Sequence, residues 1–89
     1  MEKNCFEGWT TVESLLDELV GSQQKLLLSY GRRIIPTLTP EDMLQPNDYP
    51  ELEANVDFRY EEGVLAGILT AQIALRALRR DQEFTSTRQ

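Results

Sequence analysis

Residues 63–75, near the C-terminus, read GVLAGILTAQIAL and contain no charged side chain. A helix that is apolar on every side is typical of a buried position. On a helical wheel this region divides into a face of small residues and two flanks of larger ones. The small face holds Gly63, Ala66, Gly67, Thr70, Ala74 and Ala77, and the flanks hold Val64, Ile68 and Leu75 on one side and Phe58, Leu65, Leu69 and Ile73 on the other. The spacing of the small residues predicts close contact with another helix.

The residues on either side of this stretch predict a helix over 57–81. Asp57 precedes Phe58 and suits the N-cap, where its carboxylate can accept backbone N–H groups. Arg76, Arg79 and Arg80 suit the other end, because positive charge is favourable at a helix C-terminus. Residues 82–89 have Phe84 as their one apolar side chain, so we expect a disordered tail.

A second amphipathic helix is predicted over 10–33. Thr10 suits its N-cap, and Glu13, three residues later, completes a capping box. Its apolar side chains fall on one arc of about 140° on a helical wheel. They are Val12, Leu15, Leu16, Leu19, Val20, Leu26, Leu27, Tyr30 and Ile34. Two residues depart from the pattern, since Gln23 lies inside this arc and Leu28 lies outside it.

Residues 34–56 form a connector that contains all four prolines of the chain. Thr39 before Pro40, and Asp48 before Pro50, are typical of capped helical turns, because proline suits the first helical position. We expect apolar side chains of the connector to pack over one end of the helices. They are Leu38, Met43, Leu44, Tyr49 and Leu52.

These elements predict an all-α fold: a single small domain over residues 1–89, built as a hairpin of two long helices, with residues 1–9 as a separate N-terminal segment. Matched helix lengths favour antiparallel packing, although the connector is also long enough for parallel packing. One amphipathic helix cannot cover every face of the last helix, so we expect a homodimer that forms a four-helix bundle. The predicted interface comprises Gly63, Val64, Gly67, Ile68, Ala71, Ala74 and Leu75.

Composition excludes several classes of function. The chain of 89 residues has no histidine and one cysteine, so it lacks the ligands of common zinc sites and the partners of a disulfide. A net charge of −6 is unfavourable for binding nucleic acid. Neither a signal peptide nor a stretch long enough to cross a membrane is evident, and we expect a soluble, cytoplasmic protein.

Few residues suggest chemistry. Asp57 and Glu61 could face one metal ion, but their position at a helix start favours an electrostatic role. Cys5 is predicted to be a packed thiol, since only Lys3 nearby could lower its pKa. Trp9 is predicted to be a core anchor or, alternatively, an aromatic residue of an interface.

We therefore predict a protein without enzymatic activity or cofactor that acts as a protein–protein interaction module, such as an adaptor, an assembly factor or a small chaperone-like subunit. The alternative is a ligand-binding protein or enzyme with a pocket at a dimer interface, near Glu61, Gln72 and Arg79 on one side of the last helix. We expect Gln23 and Gln72 to form hydrogen bonds to each other, to backbone or to water, because an amide without partners is costly in apolar surroundings.

Overall fold

A computed structural model describes the backbone of residues 2–88 and the side chains of residues 8–84. Within that range the chain is helical and contains no strand. Helix α1 spans Glu2–Ile34, helix α2 spans Pro50–Glu53, and helix α3 spans Val56–Arg88. Two 3₁₀ turns, Asp42–Leu44 and Pro46–Asp48, lie between α1 and α2. The predicted all-α fold of two long helices with short helical turns between them is confirmed.

The two long helices are antiparallel. Hydrogen bonds join Glu13 to Arg79, Asp17 to Gln72, and Gln23 to Glu61, so residue numbers fall along α3 as they rise along α1. The hairpin is long and narrow, with extents of 54 × 20 × 18 Å and a radius of gyration of 17.4 Å. A compact chain of this length has a radius of gyration of about 12 Å.

Both helices begin or end at residues other than those predicted. Helix α1 already includes residues 2–9, so Thr10 lies inside the helix and is not its N-cap. Trp9 is half-buried, so residues that precede Thr10 also pack against α3. This contact explains why the helix begins before Thr10. Helix α3 likewise runs through the predicted tail to Arg88, and an ion pair between Arg79 and Glu83 joins consecutive turns there. The side chain of Cys5 lies outside the described residues.

The cap of α3 is Asn55 rather than Asp57. The Asn55 side-chain oxygen accepts a hydrogen bond of 2.8 Å from the backbone N–H of Phe58, and the Asn55 carbonyl accepts one from Arg59. Because the helix begins at Val56, Asp57 already lies in its first turn. Its carboxylate there suits the positive end of the helix dipole, as expected for this position.

The connector covers one end of the hairpin with the best-packed part of the molecule. Four apolar side chains are buried there, and we call them the connector core: Leu27, Leu38, Leu52 and Phe58. Met43 and Tyr49 pack against it as predicted, whereas Leu44 is 79 % exposed, because it ends a 3₁₀ turn that has no buried residue.

Glycine at position 31 allows the connector to approach α1. A Cβ atom there would lie 2.5 Å from a Leu38 methyl group and 3.5 Å from the Phe58 ring. The guanidinium of Arg32 then donates a hydrogen bond of 2.8 Å to the Leu38 carbonyl. Together these contacts fix the point at which the chain leaves α1.

Of the two caps predicted in the connector, Thr39 makes the hydrogen bonds expected of a cap, although the 3₁₀ turn itself begins at Asp42 with Glu41 at its N-cap. The Thr39 hydroxyl accepts a hydrogen bond from the Asp42 N–H, and the Asp42 carboxylate accepts one from the Thr39 N–H. Hydrogen bonds to the Asp42 carboxylate, first from the backbone N–H of Thr39 and then from its side chain, lower the pKa of Asp42. The prediction for Asp48 is wrong, because Asp48 ends a 3₁₀ turn and Tyr49 occupies the N-cap of α2 without a side-chain bond.

Candidate interaction surface

The contact between α1 and α3 follows a regular spacing of alternately three and four residues. We call the residues at these positions the seam. In α1 they are Trp9, Glu13, Leu16, Val20, Gln23, Leu27, Tyr30 and Ile34, and in α3 they are Phe58, Glu61, Leu65, Ile68, Gln72, Leu75 and Arg79. Every one of them is buried or half-buried. This spacing corresponds to positions a and d of the heptad repeat of coiled coils.

Polar side chains occupy several seam positions and pair across it. Gln72, which is 6 % exposed, donates a hydrogen bond of 2.6 Å to the Asp17 carboxylate. Gln23 donates bonds of 2.7 Å to the Glu61 carboxylate and 3.0 Å to the Glu61 carbonyl. Among the described side chains, no buried nitrogen or oxygen lacks a hydrogen-bond partner. Gln23 and Gln72 form hydrogen bonds, and the bond of Gln23 to a backbone carbonyl was expected. Their side-chain partners, however, are Glu61 and Asp17 of the opposite helices rather than each other.

A charged network crosses the seam at the open end of the hairpin, opposite the connector. The Arg79 guanidinium lies 2.6 Å from the Glu13 carboxylate and 3.0 Å from that of Glu83. The hydrogen bond to Glu83, followed by the charge of Glu13, raises the pKa of Arg79. Charges held in this way specify the alignment of two helices more than they stabilise it.

The seam has two edges, which differ in chemistry. We number the heptad so that Glu13 and Phe58 occupy a positions; position g then precedes each a, and position e follows each d. Because both helices are right-handed and run in opposite directions, their g positions lie along one side of the hairpin and their e positions along the other. The two edges can therefore be compared directly.

Every g position between residues 12 and 26 of α1, and between 64 and 78 of α3, holds an apolar residue. We call this group the apolar edge: Val12, Leu19, Leu26, Val64, Ala71 and Leu78. Val64 is half-buried, and the other five are exposed, with Leu19 at 44 %. Leu15, Gly67 and Ala74 occupy the adjacent c positions and continue the apolar surface outward.

The opposite edge is polar. Its e positions hold Thr10, Asp17, Gln24, Glu62, Arg76 and Glu83, with Leu69 as the one large apolar residue. We call this group, apart from Leu69, the polar edge. Some of its residues join the seam network, since Asp17 accepts a bond from Gln72 and Glu83 pairs with Arg79. Exposed apolar residues also lie on this side of α3, where Ile73, which is 65 % exposed, adjoins Leu69. Among the described residues, however, only the g row is apolar at successive positions of both helices.

The structure separates the predicted interface residues into two groups. Val64, Ile68 and Leu75 are half-buried near α1, whereas Gly63, Gly67, Ala71 and Ala74 are exposed. Apart from the adjacent residues and backbone of α3 itself, no described heavy atom lies within 4 Å of a Cβ placed on Gly63 or Gly67, so the small-residue face is not the surface that contacts α1.

The residues of the predicted ligand pocket do not converge within the chain. Glu61 bonds to Gln23 and Arg79 bonds to Glu13. Arg79 follows Glu61 by eighteen positions, which separates them by about 27 Å along α3. Within residues 8–84, no group of three or more Cys, Asp or Glu side chains is arranged to hold a metal ion. None of the described helices has the length and apolarity needed to cross a membrane.

Sequence reasoning treated the apolar arc of α1 as a single face, but the structure divides it. Leu16, Val20 and Leu27 face α3, while Val12, Leu19 and Leu26 belong to the apolar edge. The signal for this division was present in the heptad spacing, which places Glu13 and Gln23 on the seam. The cross-helix pairs themselves had no local signal, because each joins residues far apart in sequence.

Comparison with known proteins does not supply a relative: no family model, no curated protein and no solved structure matches this chain. Its function is therefore argued from its own surface.

Proposed function

We propose that the protein is a non-enzymatic, self-associating interaction module, in which a second copy of the hairpin covers the apolar edge and the two copies form a four-helix bundle. The observation that carries the proposal is the apolar edge itself. Both helices contribute to it, it runs over two heptads, and five of its six side chains are exposed in the single chain.

The width of the apolar surface supports this proposal. A helix that pairs with only one other helix needs apolar residues at a and d, whereas a helix in a bundle also needs them at e or g. Both α1 and α3 have apolar residues at one additional heptad position, and in both helices that position is g. Because the two g positions lie on the same side, a second pair of helices can cover both of them at once.

The exposed area supports it as well. The chain exposes 6710 Å², whereas a compact monomer of 10.2 kDa exposes about 5,300 Å². The excess of about 1,400 Å² is larger than the roughly 800 Å² that each partner contributes to a standard protein–protein interface. A hairpin of this shape thus has enough surface to form a stable dimer and retain a second face.

An interaction role fits the polar residues better than catalysis does. Glu61 and Arg79, which the ligand-pocket alternative requires in one place, each bind a different residue of α1. Their chemistry is used to align the two helices. We therefore propose that specificity resides in the seam and affinity in the apolar edge.

The test is sedimentation equilibrium of the full chain at micromolar concentration. We expect a dimer for the wild type and a monomer for Leu19→Glu, because this change places a charge at the centre of the apolar edge. Gln24→Glu adds the same charge at an exposed position on the polar edge of the same helix and is expected to remain dimeric. A monomeric wild type, or equal weakening by both substitutions, would overturn the proposal.

A further inference from the structure

We infer that the second copy lies antiparallel to the first, with the two connectors at opposite ends of the bundle, so that α1 packs against α1 and α3 against α3. This inference rests on the proposed function and specifies how its two copies are arranged. A two-fold axis allows one other arrangement on the same face, in which both connectors lie at one end and α1 packs against α3 of the second copy.

A two-fold axis that relates the two copies can pass through the middle of the apolar edge. Asp17 and Gln72 are hydrogen-bonded, which places Leu19 and Ala71 at nearly the same level of the hairpin. Each strip extends seven residues, or about 10 Å, to either side of that level. With the two-fold axis at this level, Leu19 contacts Leu19 of the second copy and Ala71 contacts its Ala71. Val12 then contacts Leu26 of the second copy, and Val64 contacts its Leu78. Every apolar side chain of the edge then has an apolar neighbour.

Both arrangements cover the apolar edge, so the distribution of charge is what distinguishes one arrangement from the other. Residues 35–58, which form the connector and the start of α3, carry six carboxylates and no basic side chain: Glu41, Asp42, Asp48, Glu51, Glu53 and Asp57. At the open end, the described side chains of residues 8–13 and 74–84 carry three arginines and three carboxylates. With Arg32, Arg33 and Arg59, which flank the connector, the connector end has a net charge of −3, whereas the described open end has a net charge of zero.

Connectors at the same end would bring two groups of six carboxylates side by side, and repulsion between like charges opposes such contact. Connectors at opposite ends place each acidic group beside the arginine-bearing end of the other copy. The same choice brings Ala71 next to Ala71 of the second copy, with Gly67 and Ala74 adjacent. Small side chains at such positions allow two helix backbones to approach closely.

The experiment measures the distance between the two connectors in the dimer. A spin label is attached to Leu44→Cys in a Cys5→Ser background, and pulsed electron paramagnetic resonance gives the distance between the two labels. Leu44 is 79 % exposed, so the label does not disturb the connector core. From the level of Leu19 to the end of α1 is about 22 Å, so we expect a distance of about 45 Å or more. Connectors at the same end would give less than about 30 Å, because packed helices are separated by 8–10 Å.

Disulfide formation provides a second measurement. In the same background, Leu19→Cys and Ala71→Cys are each expected to form a disulfide-linked dimer on mild oxidation, whereas Thr70→Cys on the outer face of α3 is not. In the alternative arrangement neither single variant would link to itself, and the two variants mixed would link to each other. A short label distance, or cross-linking only in the mixture, overturns the inference while leaving the dimer intact. A monomeric labelled protein in sedimentation, with a monomeric wild type, would instead overturn the proposed function.

Discussion

The connector end and the helical shaft of the hairpin are built in different ways. At the connector end, side chains from α1, the connector and α3 enclose one another, and Leu52 and Phe58 are inaccessible to solvent. Along the shaft, only two helices are in contact, Gln72 is the most buried side chain, and large apolar residues such as Leu19 remain exposed. The chain therefore completes its core only where three segments meet.

This difference shows where the hairpin leaves apolar side chains exposed. Two helices alone bury one narrow seam, and a third element is needed to cover the flanking positions. The connector fulfils that role over about one heptad. A second copy, in our proposal, fulfils it over the rest. Substitutions at the two regions should therefore have distinct effects.

The largest expected effect is at the connector core. Phe58→Ala removes a fully buried ring that contacts all the neighbouring segments, so we expect it to lower the free energy of unfolding by about 3–5 kcal/mol. Urea denaturation measures this change. Val56→Ala, two residues earlier and exposed, is the control and should change the free energy by less than about 0.5 kcal/mol. Equal effects of the two substitutions would show that the connector end is not the packed region.

Two glycines of α1 provide a sharper comparison of the same regions. Alanine favours helix by about 1 kcal/mol over glycine at either position. Gly21 on the shaft has open space around its Cβ position, so Gly21→Ala should raise the melting temperature. At Gly31 the added methyl group would clash with Leu38, and overpacking of this kind costs about 1–3 kcal/mol. We expect Gly31→Ala to be the less stable variant by that amount, and the opposite order would contradict the close packing described.

A smaller effect identifies the cap of α3. Asn55→Ala should lower the free energy of unfolding by about 0.5–2 kcal/mol, because it removes the acceptor of the Phe58 N–H. Asp57→Ala removes only a favourable charge near the helix start, worth about 0.3–1 kcal/mol. Thermal melts of the two variants compare them directly. A larger loss for Asp57→Ala would show that Asp57 is the cap, as the sequence had suggested.

The smallest expected effect is a change in the stability contributed by Asp42 as the pH is lowered. The pKa of Asp42 is lowered in the folded chain, mainly by the Thr39 backbone N–H, so the carboxylate form is favoured by folding. That contribution is present above the ordinary pKa of an aspartate, about 3.9, and is lost as the pH falls through the lower folded value. We expect wild type to be more stable than Asp42→Asn at pH 7 and the difference to shrink below about pH 4. A difference that is independent of pH would contradict this role.

The sequence was sufficient to predict the helical hairpin and much of the connector. Periodic apolar residues marked both long helices, and Leu38 and Leu52 were correctly placed in the core. The helix ends were less predictable, because Thr10 and Asp57 have the chemistry of caps but are enclosed by helix that continues past them. Cap chemistry alone does not show whether the preceding residues are also held in a helix by tertiary contact.

The exposed apolar edge was only partly predictable. The apolar stretch over 63–75 indicated that α3 needed more cover than one helix could provide, and its exposed residues in the structure agree with that reasoning. Which face remains uncovered depends on the alignment of α1 with α3. That alignment is determined by pairs such as Gln72 with Asp17, which cannot be identified before the antiparallel packing is known.

If a second copy completes the hairpin, as we propose, the thermal stability of the chain depends on protein concentration. When folding is coupled to dimer formation, mass action raises the melting temperature as the concentration increases. We expect the wild-type chain to melt several degrees higher at about 100 μM than at about 1 μM, and Leu19→Glu to lose this dependence. A wild-type melting temperature that is the same at both concentrations would contradict the account.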